Sequence, residues 1–165
     1  MIKKLVLAMG LLGLFSVCKA QENSKPVMPQ GKLLRLEYSY SGMMMPVYGN
    51  FKLKRNAETG ESDFSFFHYN KEMFTKGVLD SVFTAACRII EEERMYEYAI
   101  SYSLPPEVEK GMLDGFGWRF EACFENGECI SSHGRHVMPG GKGLRRIEDL
   151  LSEAARAATK EEPTE

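Results

Sequence analysis

The sequence predicts an α+β domain: a tandem βββα repeat forming an antiparallel sheet with two helices on one face. Three observations carry this. Stretches with apolar residues at every second position recur, as half-buried strands require. Two later stretches repeat their apolar residues at helical spacing. The strand-then-helix order also occurs twice.

The first strand is Leu34, Leu36, Tyr38 and Tyr40, alternating with Arg35, Glu37 and Ser39. A second runs from Val47 to Arg55, with Phe51 and Leu53 alternating against Lys52 and Lys54. The turn NAETGE (Asn56–Glu61) leads to a third strand, Ser62–Asn70. After Gly77 the period changes: Leu79, Val82, Phe83, Ala86, Ile89 and Ile90 form the stripe of an amphipathic helix, and Cys87 beside it reads as a buried thiol. The pattern then restarts. Tyr96, Tyr98, Ile100 and Tyr102 alternate as a strand, and Trp118, Phe120, Ala122 and Phe124 as another. Asn126-Gly127 is a hairpin signal, and Glu128–Ser132 returns. Leu144, Ile147, Leu150, Leu151 and Ala154 complete the second helix.

The halves, 31–94 and 95–158, can be overlaid. YSYS (Tyr38–Ser41) meets ISYS (Ile100–Ser103), and Leu79, Val82 and Ala86 match Leu144, Ile147 and Leu151. Each unit has one helix for one sheet face, so a shared sheet with both helices on one side is the economical packing. The five tyrosines, Tyr38, Tyr40, Tyr96, Tyr98 and Tyr102, then read mainly as core residues with hydroxyls at the rim.

Residues 1–20 read as a signal peptide: Lys3 and Lys4 precede the apolar run Leu5–Phe15, which is too short for a permanent span. Cleavage after Ala20 is favoured; lipid attachment at Cys18, giving a membrane-anchored lipoprotein, is the alternative, since Val17 is large for that route. Either predicts export, to the periplasm or beyond. Residues 21–30 read as a polar tether, 31–158 as one domain and 159–165 as a disordered tail. Loss of Lys3, Lys4 and Lys19 takes the basic count from 21 to 18 against 23 acidic residues. No basic excess favours nucleic acid.

Three sites stand out. Met43, Met44 and Met45 lie between the first two strands, and thioethers suit Cu(I). The plainer account is packing or an adaptable contact loop. Cys129, His133 and His136 offer imidazole and thiolate for zinc, at a spacing that matches no common finger. A three-residue loop with Gly127 left-handed would instead place Cys123 opposite Cys129 as a disulfide; a two-residue loop would put them on opposite faces. Finally, Lys142, Arg145 and Arg146 crowd the start of the second helix, where cations oppose the dipole, and Arg135 precedes them in the same loop. They suit an anionic ligand or partner, or neutralisation by Glu91, Glu92 and Glu93 at the end of the first helix. The loop HVMPGGKG fails the nucleotide pattern, with His136 in place of the first glycine and Gly143 in place of Ser or Thr.

The run DGFGWRFEACFENGECISSHG (Asp114–Gly134), followed by Pro139 and a helix, resembles small uncharacterised exported proteins of Gram-negative gut bacteria. Their shared pattern is a tryptophan strand, an Asn/Asp-Gly hairpin, a Ser-x-Gly return and a closing helix. Two residues beyond Gly134 that pattern often has Asn, whereas this chain has His136. The resemblance implies an α+β fold and an envelope location; it brings no activity or catalytic residue. Without a recognisable catalytic motif, the expected function is a non-enzymatic binding or envelope-interaction module, its partner an envelope protein or small ligand. Copper or zinc binding is the alternative, and a hydrolase-type enzyme the third class.

Overall fold

The computed structural model describes residues 26–42, 48–78, 80–109 and 115–160. Four strands lead the chain: β1 (Leu33–Ser41), β2 (Tyr48–Arg55), β3 (Ser62–His68) and β4 (Lys71–Lys76). Helix α1 (Asp80–Glu92), the two-residue β5 (Ser101–Tyr102) and the short α2 (Pro106–Glu109) follow. The chain closes with β6 (Gly117–Phe124), β7 (Cys129–Arg135) and α3 (Gly143–Lys160). The seven strands form one sheet in the order β4-β3-β2-β1-β6-β7-β5. No helix among the described residues is long and apolar enough to cross a membrane.

Alternation decides which face is covered. Leu36, Tyr38, Phe51, Leu53, Phe64, Phe66, Phe120, Ala122 and Ile130 are buried in one core with Phe83, Ala86 and Ile90 of α1 and Leu144, Ile147 and Leu151 of α3. The intervening residues, among them Arg35, Glu37, Lys52, Lys54, Asp63, Arg119 and Glu121, lie on the opposite, polar face. At one end of α1, Arg55 lies 4.0 Å over the Phe83 ring and pairs with Asp80.

The structure corrects the sequence reading at three places. The third strand stops at His68, and Tyr69 and Asn70, at φ 47° and 66°, turn the chain into an additional strand, β4. Tyr96–Tyr102 is not a full strand: Arg94 is left-handed (φ 50°), Met95–Glu97 forms a 3-10 turn and only Ser101–Tyr102 joins the sheet. Met95 takes the fully buried position, leaving Ile100 73% exposed. Third, β5 pairs with β7, in parallel, and not with its sequence neighbour β6, whereas β1 pairs antiparallel with β2. The sheet is therefore larger than two three-stranded units and not wholly antiparallel, and its pairing does not confirm a tandem repeat. Leu79, one of the matched positions, lies outside the described residues.

Candidate functional site

The basic cluster at the start of α3 is resolved into a clasp between helices. Arg146 donates to Glu93 at 2.8 Å and to Glu92 at 2.7 Å, and the Lys142 backbone N–H donates to Glu93 at 3.3 Å. The hydrogen bonds from Arg146 and then Lys142 hold the Glu93 carboxyl below the usual range. α1 ends with no basic residue in its last turn and α3 begins with no acidic one. Each supplies the charge the other's terminus lacks. Arg135, at the end of β7, has Glu109 of α2 at 3.5 Å. Arg145 is exposed and makes no ion pair among the described residues. Arg146 and Arg135 are each held by carboxylates of their own, so the four cations form no common ion-pair group among the described residues.

The proposed zinc ligands do not converge. Cys129 and His133 are both on the polar face of β7, four residues and so about 13 Å apart along the strand. His136 is left-handed beyond the strand end, its ring edge-on to Phe116 at 6.3 Å. Among the described residues no group of three or more His, Cys, Asp or Glu side chains is arranged to hold a metal. Cys129 is instead opposite Cys123, with the sulfurs at disulfide distance. Gly127 has φ 84° and donates to the Phe124 carbonyl, so the loop is the three-residue form that sets this register. Met43, Met44 and Met45 lie outside the described residues.

The sequence reading missed the free half of β7. His133 donates its backbone N–H to Ile100 at 3.0 Å, which fixes the side of the strand that faces β5. Main-chain groups point alternately to either side, so Ser131 and Cys129 face the same way as His133. Among the described residues neither has a strand partner there, because β5 pairs only with His133 and Gly134. A groove of about 490 Å³ runs beside this edge, walled by Val27, Tyr96, Tyr98, Ile100 and Ile130. Val27 is 75% exposed, slightly more than Ile100. Pro26 and Pro29 also line the groove, and Met28 packs on the core, so residues 26–29 form part of its wall. The signal in the sequence was faint: the apolar residues of PVMP inside a polar tether.

One carboxylate is out of place. Glu148 of α3 accepts a hydrogen bond from the buried Tyr38 hydroxyl at 3.3 Å. Burial pushes the Glu148 carboxyl above its ordinary value, while the Tyr38 hydrogen bond pulls it back. Burial also raises the Tyr38 hydroxyl, which stays protonated, and pushes Tyr98 up to about 12. A carboxyl that holds its proton more tightly when folded contributes stability fully below the unfolded pKa and loses it as pH rises through the folded value. Glu148→Gln is therefore expected to raise the melting temperature at pH 7 and to change it little at pH 4. Parallel thermal melts across that range measure it.

No family model matches this chain, and neither does any curated protein or solved structure.

Proposed function

We propose that this protein is an exported, non-enzymatic binding module that accepts an extended, apolar-rich segment of an envelope protein as an added strand along the free half of β7. The observation that carries the reading is the main chain at Cys129 and Ser131, which has no strand partner among the described residues and lies beside the exposed Ile100 and Val27. Strand addition draws affinity from main-chain hydrogen bonds and specificity from pockets for alternate side chains. Here the main-chain groups and an apolar wall occur side by side.

The opposite edge of the sheet makes the contrast. β4 carries Lys71, Glu72 and Lys76, the charged side chains that keep an edge strand from pairing with other chains. The free part of β7 has neither lysine nor proline, only Cys129, Ile130, Ser131 and Ser132. Export is supported by the basic-then-apolar start of the chain and by the Cys123–Cys129 pair, which suits an oxidising compartment.

Photo-crosslinking in the intact envelope tests the reading. A benzophenone side chain at position 100 is expected to capture a discrete partner, and the same probe at Lys52 on the polar face is not. Ser131→Pro removes the outward N–H from an edge position and is expected to abolish capture at position 100, with the melting temperature changed by no more than a few degrees. Equal capture from both positions, or capture unaffected by Ser131→Pro, refutes strand addition.

A further inference from the structure

We infer that the Cys123–Cys129 disulfide is a thiol-exchange site, with Cys129 the sulfur attacked and Cys123 the leaving thiolate. The bond adds little to the architecture. It joins residues six apart that the hairpin register already sets opposite one another, whereas a disulfide constrains the unfolded chain most when it closes a long loop. Both residues face the polar side of the sheet, which neither α1 nor α3 covers.

The two sulfurs have unequal surroundings. Cys129 is exposed and borders the groove beside β7, while Cys123 is half-buried. Arg35 on the adjacent β1 is the Cα partner of Cys123, and its Nη2 lies 3.2 Å from the Cys123 sulfur. A guanidinium there stabilises a thiolate at Cys123, and a stabilised thiolate leaves faster. Glu121 opposes this: its carboxylate pairs with Arg35 and lies 3.7 Å from the same sulfur. Arg119 at 3.0 Å engages the other Glu121 oxygen, so the group holds two guanidiniums against one carboxylate. Access and charge thus select the same direction of attack.

In the first step an incoming thiolate forms a bond to the Cys129 sulfur, the Cys123–Cys129 bond breaks and its electron pair departs on Cys123. A second thiolate then attacks the incoming group's sulfur and releases Cys129 as a thiolate. Two thiols are oxidised to one disulfide, and the protein takes up two electrons. The co-reactant is a low-molecular-weight or protein thiol, and the step does not depend on strand addition at β7.

The test uses the full chain in native buffer with reduced glutathione, followed by acid quenching and mass spectrometry. The expected product is a glutathione adduct at Cys129 with a free thiol at Cys123, formed while the far-UV spectrum is unchanged. Arg35→Leu is expected to slow its formation by roughly three- to tenfold, Arg35→Lys to restore part of the rate, and Glu121→Gln to accelerate it. An adduct on Cys123 overturns the assignment. So does a rate that follows the unfolded fraction in urea, or one that Arg35→Leu and Glu121→Gln both leave unchanged.

Discussion

Replacing Gly134 by alanine is expected to destabilise the protein by about 2–4 kcal/mol in urea unfolding, from overpacking together with the loss of a buried hydrogen bond. A Cβ built at Gly134 would stand 2.4 Å from Nε1 and 2.7 Å from Cε2 of Trp118, and 2.7 Å from the Val137 carbonyl oxygen. That indole N–H donates to the same carbonyl at 2.7 Å, and Trp118 is 4% exposed. The added methyl group therefore enters the space of a hydrogen bond that the ring cannot re-form elsewhere. Tyr102 bounds the indole on another side, its ring centroid at 5.8 Å. Trp118→Phe removes the two nearest indole atoms, so the double variant should lose less than the sum of the single changes. Gly140→Ala is the control, since a Cβ there meets nothing within 4 Å.

This site gives physical content to the Ser-x-Gly return that was visible in the sequence. Ser132 is fully buried, and its hydroxyl donates to the Ala99 carbonyl at 2.6 Å. Gly134, two residues on and on the same face, makes room for Trp118. The helical stripes of α1 and α3 and the alternation of β1, β2 and β6 were likewise legible, because each writes a buried face in its own period. β4 was not: in KEMFTK every side chain is exposed or only half-buried, so little apolar alternation marks it. Tyr96–Tyr102 misled for the opposite reason, having alternation without a strand, since Met95 and the left-handed Arg94 redirect the chain. The likeness of YSYS to ISYS extends over four residues and does not determine which strands pair. The free edge of β7 was hidden for a related reason. It depends on β6 pairing with β1 and on β5 covering only one end of β7, both long-range outcomes of the fold.

The largest single loss is expected from Phe120→Ala, about 3–5 kcal/mol, because a fully buried aromatic is removed from a central strand. Phe120 lies between Tyr38 of β1 and Ser132 of β7 in register, and Tyr38 in turn faces Phe51 of β2. One row of side chains under the helices thus crosses from the early strands to the late ones. The β1–β6 ladder behind it runs from Leu33–Phe124 to Ser41–Gly117, the whole length of β1. Two βββα units folding separately would confine the damage to the later half. A continuous sheet under one core is expected to spread it through all the strands, so that they unfold as a unit. Trp118 is the only tryptophan and lies in the later half, while four of the seven described strands, β1 to β4, belong to the earlier half. Tryptophan fluorescence and far-UV circular dichroism are therefore expected to report the same urea midpoint in the parent protein, and the same lower midpoint in Phe120→Ala. Separate midpoints would divide the domain at the β1–β6 seam and return the two halves to the status of independent repeats.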